Sequence, residues 1–196
     1  MNDLPWYIIK DADQIDSPAL CFYEERIRGN IRRLLETVAA GKVRPHVKTN
    51  KTPEVCRLMM EAGIHQFKCA TIAEAEMLGM IQAKDVLLAY PVTGPKISRF
   101  KKLVRQYPGT HYACLIDSAE GATAIASAFE AEQLTADVFI DLNVGMNRTG
   151  ISPTDALALF EKIWKLKGIR VTGLHAYDGH IQDSDFATRK RQCLEA

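Results

Sequence analysis

The chain lacks every feature that would take it to a membrane or a nucleic acid. Among its 196 residues no stretch approaches the roughly 18 uncharged apolar positions that a membrane span needs. The formal net charge is only +1, so no strong field steers the protein toward nucleic acid or an acidic lipid surface. Met1 to Lys10 lack the basic start and apolar run of a secretory leader. The five cysteines, Cys21, Cys56, Cys69, Cys114 and Cys193, are scattered and form no CxxC pair. That pattern argues against a disulfide framework or a zinc ribbon and for reduced thiols in a cytoplasmic protein. Neither GxGxxG nor GxxxxGKS/T occurs, which weakens the case for a nucleotide-binding open sheet. There is no low-complexity linker. What is present, 47% hydrophobic and 25% charged residues, is an ordinary globular composition with enough apolar material for a sizeable core.

The chain repeats one unit: a short β-rich run, a polar turn, then an amphipathic helix. Strands are expected over Arg44–Lys48, Gln66–Ala70, Asp85–Tyr90, His111–Ile116, Ala136–Leu142 and Ile169–Tyr177. Helix starts are marked by Thr52-Pro53-Glu54, by the capping box Thr71-Ile72-Ala73-Glu74, by Ser118 and by Ser152-Pro153. Gly63, Gly79 and Gly168 read as helix stops, and the polar tail from Gln182 reads as helical. Ser17–Tyr23 reads as a further strand, followed by a helix over Glu24–Ala40. Alternating strands and helices imply a parallel sheet with right-handed crossovers, either doubly wound or a (β/α)8 barrel. A whole barrel takes about 250 residues, so this chain supplies about six barrel strands.

Chemistry-bearing side chains gather at the C-terminal ends of the expected strands, where an α/β barrel builds its active site. The first group is Arg44-Pro45-His46-Val47-Lys48-Thr49-Asn50-Lys51. A lysine desolvated at a strand end loses protons more readily and becomes a nucleophile toward carbonyls; among so many basic neighbours, spacing alone favours a solvated loop lysine over that role. The second is Asp141-Leu142-Asn143-Val144-Gly145-Met146-Asn147-Arg148-Thr149-Gly150, an apolar strand ending in a glycine-flanked turn that offers the planar fork of Arg148, or simply a βα turn with an exposed arginine. The third is Gly173-Leu174-His175-Ala176-Tyr177-Asp178-Gly179-His180. Period-two alternation puts His175 and Tyr177 on one side of their strand, suited to a planar ligand, or to a core histidine and a snorkelling tyrosine. The same alternation turns Asp178 away, which disfavours a metal shared with His175 and His180.

In this order, the Arg44–Thr49 run, the Asn143–Gly150 turn and the Ala176–His180 run resemble the D-threonine aldolase / D-serine dehydratase family, relatives of the alanine racemase N-terminal domain. The resemblance implies a (β/α)8-type barrel binding pyridoxal 5'-phosphate (PLP), present here in incomplete form over residues 41–196. Residues 1–40 would hold the opening strand and helix, the strand pairing with a C-terminal β domain. Lys48 would be the Schiff-base lysine, Arg148 would approach the cofactor's phenolic oxygen, His175 would pack against the pyridine ring, and Tyr177 would stand near the ring nitrogen. Asn50 stands where the family more often has histidine. The phosphate-binding loops and the ligands of a divalent metal would belong to later sequence. The implied activity is a lyase on D-3-hydroxy amino acids, in a homodimer when full length. The alternatives are an amino-acid racemase, a non-catalytic PLP-binding protein and an inactive fragment.

Overall fold

A computed structural model of the chain describes residues 5–195; Met1–Leu4, part of the stretch read for a leader, and Ala196 lie outside it. Five parallel strands form one sheet in sequential order: β1 (Gln66–Cys69), β2 (Asp85–Pro91), β3 (His111–Ile116), β4 (Ala136–Leu142) and β5 (Ile169–Ala176). Helices α3 (Ile72–Met80), α4 (Pro95–Gln106), α5 (Ala119–Glu130) and α6 (Ala156–Ile163) make the crossovers. Ahead of the sheet lie α1 (Glu24–Thr37) and α2 (Pro53–Glu61), and α7 (Phe186–Glu195) follows it.

The sheet has two unlike faces, and this difference positions the site. On the helix side Phe67, Cys69, Val86, Leu88, Tyr112, Cys114, Ile116, Val138 and Ile140 pack with Leu78, Phe100, Ile125 and Phe129 into the main core. On the other side Leu87, Ala113 and Leu115, with Ala89 and Phe139 against them, form a small separate cluster. That is the concave, barrel-interior face. Although β1 and β5 stand at opposite ends of the strand order, a β1 side chain reaches a β5 side chain across this face, so the sheet is curled rather than flat.

Local chemistry accounts for most element ends. Thr71 Oγ1 accepts from the Glu74 amide at 3.1 Å, and the Glu74 carboxylate accepts from the Ala70 amide at 2.7 Å, one residue before the position a standard capping box would use. Ser118 caps α5 through the Gly121 amide. Thr52 does not cap α2: its hydroxyl is buried without a partner, and Asn50 Oδ1 takes the Thr52 amide instead. Gly79 is no helix stop. It lies inside α3, where a Cβ would come within 2.7 Å of the Tyr107 ring, so its role is close packing.

Two expected strands do not form. Arg44–Lys48 makes a single parallel bridge, His46 to Lys68, and then tightens into a 3-10 turn at Val47–Thr49. The Lys68 amide donates to the Pro45 carbonyl at 2.8 Å, but the proline before His46 has no N–H to return to a ladder. Ser17–Tyr23 is irregular, because a strand needs hydrogen-bonded neighbours and none lies beside it among the described residues. The outer side of β5 is also uncovered, with Leu174 62% exposed.

The opposite end of the sheet carries a ring of charge. Arg44 pairs with Asp85, His111 reaches Asp85 and Asp137, and Arg170 grips Asp137 through two bonds of 2.7 and 2.8 Å. Asp85 and His111 open their strands and Asp137 and Arg170 stand second in theirs, at the end of the sheet where an α/β barrel invests in stability.

Candidate active site

Lys48 sits on the 3-10 turn that follows the His46 bridge. Val47, only 1% exposed, anchors that turn in the core, while Lys48 itself is exposed. The Lys48 amide donates to His46 Nδ1 at 3.1 Å. Burial, then the positive charges of Lys48 and Lys68, hold the His46 imidazole below its ordinary range of protonation. The expectation of a lysine closing a strand therefore changes: the backbone reaches the mouth of the sheet as a turn, which leaves the side chain free to swing. Asn50, the residue unlike the family pattern, closes this turn by holding the Thr52 amide.

Arg148 rides on a turn built by Asn143. The Asn143 Oδ1 accepts from the amides of Gly145 at 3.2 Å and Asn147 at 3.0 Å, and its Nδ2 donates to Asn147 Oδ1. Gly150 returns the chain to the sheet at φ +100°, where a Cβ would crowd the Leu142 carbonyl carbon at 2.7 Å. The exposed guanidinium of Arg148 ends 5.3 Å from the centre of the Tyr177 ring, within cation–π range.

His175 and Tyr177 share the concave face, as alternation requires, with Tyr177 just past the end of β5. Two further residues complete the cluster: Asp141, which opens the second sequence group but carries no expected role there, and Lys68, which belongs to none of the groups. Asp141, 2% exposed, accepts from His175 Nδ1 at 2.6 Å and from Thr149 Oγ1 at 2.8 Å. Lys68, from β1, places Nζ 2.8 Å from His175 Nε2 and 5.1 Å from the Tyr177 ring centre. Burial holds the Lys68 amine below its ordinary protonation range; the Asp141 charge opposes this, and the positive charges of Lys48, Arg148 and Arg44 add to it. Strand alternation carried the missing signal: Lys68 lies between the core residues Phe67 and Cys69, and Asp141 follows core Ile140, so both must face the barrel interior.

All four side chains expected from the sequence, Lys48, Arg148, His175 and Tyr177, thus lie at the same end of the sheet. The last three interlock through Lys68 and Asp141. The crevice between Ala89, Leu115, Asp141, Arg148, His175 and Tyr177 is about 10 Å³, smaller than an aromatic ring, so a planar ligand has to lie over the cluster and not within it. The donor set fits PLP in kind: amines for an aldehyde, a fixed cation for an oxyanion, an imidazole and a phenol for a ring. Among the described residues no group of three or more His, Cys, Asp or Glu side chains is placed to hold a metal, and no helix is long and apolar enough to cross a membrane.

The profile of the alanine racemase N-terminal domain matches residues 24–196. The chain belongs to that family. Arthrobacter D-threonine aldolase is 27% identical to it over 174 residues, which cover 86% of this chain and 45% of the aldolase. The D-threo-3-hydroxyaspartate dehydratase of Delftia strain HT23 is 28% identical over 176 residues, 87% of this chain and 46% of the dehydratase. The crystal structure of D-threonine aldolase from Filomicrobium marinum superposes with a TM-score of 0.81 at 26% identity, covering 92% of this chain and 49% of the aldolase. The chain therefore spans about half the length of the relatives it matches.

Proposed function

We propose that residues 41–196 form the lysine-bearing part of a PLP-dependent lyase for D-3-hydroxy amino acids, of the D-threonine aldolase or hydroxy-amino-acid dehydratase type. The observation that carries this reading is the clustering of Arg148, His175 and Tyr177 at a parallel-strand mouth, with Lys48 on the turn that bridges to the same edge of the sheet, in a chain whose relatives bear those two activities. PLP, when bound, supplies an electron sink for cleavage of a bond to the substrate's Cα. This chain supplies the rest. Lys48 would supply the amine for the cofactor's aldehyde. Arg148 would set a permanent, forked cation toward the phenolic oxygen. His175, kept from turning by Asp141, would pack beside the pyridine ring. Tyr177 would offer its hydroxyl to the ring nitrogen, and the sink would then be weaker and lean more on help at the substrate's β-hydroxyl. The resemblance to D-threonine aldolase and D-serine dehydratase implies a divalent metal for that hydroxyl, and no residue of this chain is assigned to hold it.

The test is incubation of the full protein carrying this chain, with PLP and a divalent metal, with D- and L-3-hydroxy amino acids. Glycine plus an aldehyde, or ammonia plus a keto acid, formed from the D-isomers and abolished by chelator, is the expected result. Racemisation with none of these products would replace the lyase with the racemase.

A further inference from the structure

Lys68 belongs to none of the sequence groups, yet its amine reaches across the concave face. It extends from β1, pairing with Leu87 in the ladder, and reaches β5 at the other end of the sheet. If the His46 segment is counted as the first strand of a ring of eight, Lys68 stands on the second and His175 on the sixth, directly across the interior. Its side chain forms a floor between the apolar layer of Leu87, Ala113 and Leu115 and the mouth above.

With Lys68 charged, the hydrogen bonding of this floor has one self-consistent solution; a neutral Lys68 amine could accept instead, and an imidazolium would then donate from both nitrogens. An ammonium group only donates, so His175 Nε2, at 2.8 Å from Lys68 Nζ, must accept. A carboxylate only accepts, so His175 Nδ1, at 2.6 Å from Asp141 Oδ1, must donate. Thr149 Oγ1 occupies the other carboxylate oxygen and ties the floor to the turn carrying Arg148. We propose that Lys68 is a positioning residue of the cofactor site: its ammonium, spanning the barrel interior, fixes His175 as the neutral Nδ1–H tautomer and sets the ring plane on which a cofactor would rest. The first half stands on the donor and acceptor geometry around a charged Lys68; the second rests on the PLP reading above.

Tautomers report directly by nuclear magnetic resonance. The full protein is labelled with 15N-histidine and kept free of cofactor, and His175 is assigned by the signal lost in His175→Gln. The expected wild-type pattern is a protonated Nδ1 and a bare Nε2 that accepts a hydrogen bond. Lys68→Met should move the Nε2 resonance toward that of an unbonded imidazole nitrogen, and Lys68→Arg, which restores a donor, should move it back. PLP titration of the same variants should show binding weakened on the order of tenfold in Lys68→Met, with recovery in Lys68→Arg. A wild-type Nε2–H pattern overturns the proposal even if Lys68→Met does not fold, and so does an unchanged spectrum in a folded Lys68→Met. A confirmed Nδ1–H tautomer in a protein that ignores PLP would leave the Lys68 strut standing and overturn the cofactor reading instead.

Discussion

Replacing Asp141 with asparagine probes the hydrogen-bonded floor most sharply, because the swap keeps shape and removes charge. The wild-type carboxylate is 2% exposed and holds two charge-assisted bonds, from His175 Nδ1 and Thr149 Oγ1. An amide can still accept from His175 and donate to the Thr149 hydroxyl, so neither partner is orphaned. Each bond falls from the charged class to the neutral class, a loss of about 1 kcal/mol apiece and about 2 kcal/mol in sum. With a urea dependence of about 2 kcal/mol per molar, the unfolding midpoint should drop by about 1 M. Removing the negative charge also removes the one influence that raises the affinity of Lys68 for its proton. Lys68 should therefore react with an acylating reagent at lower pH in Asp141→Asn than in the wild type, as read by peptide mass spectrometry. A midpoint within about 0.25 M of wild type, or an unaltered pH profile for Lys68, would refute the network as described.

Arg148→Lys should weaken PLP retention while leaving the unfolding free energy within about 0.5 kcal/mol of wild type, since the side chain is exposed and only the fork is lost; dialysis and unfolding curves separate the two effects. At the far end of the sheet, burial disfavours the Asp137 carboxylate, but its bonds from Arg170 and His111 outweigh that and hold it below the usual carboxylate range. A lowered native value contributes stability that is fully present above the unfolded pKa of about 3.9 and is lost progressively as the pH falls through the lowered native value, so wild type should lose more stability from pH 5 to pH 3 than Asp137→Asn does. A thiol reagent should label Cys21 and Cys193 in the native protein and reach Cys56, Cys69 and Cys114 only after unfolding: the latter three are buried, and burial pushes the Cys56 thiol up to about 11.

The parts legible in the sequence were those dictated by periodicity and capping. Phe67, Val86, Tyr112, Val138 and Ile169 lie in strands because apolar runs of the right length stand between turn residues, and the ends at Thr71, Ser118, Gly63 and Gly168 follow local rules that need no tertiary context. The misreadings have tertiary causes. Ser17–Tyr23 has strand composition without a partner, and Pro45 denies Arg44–Lys48 a complete ladder. Gly79 looked like a stop because its packing against Tyr107 arrives from α4's end, far along the chain. At the site, the motif residues were readable and their linkage was not. Lys68 and His175 are 107 positions apart, and only curling of the sheet brings them within hydrogen-bond distance. Asp141 and Lys68 carried an alternation signal, a charge between core positions, that motif reading passes over.

The central claim is that Lys48, and not the nearer-buried Lys68, is the amine that holds PLP. Borohydride reduction of the PLP-loaded full protein, followed by proteolysis and peptide mass spectrometry, makes the attachment permanent and locates it. The account predicts a pyridoxyl adduct on the peptide containing Lys48, with Lys68 unmodified. An adduct on Lys68, or on no lysine of this chain, would contradict it.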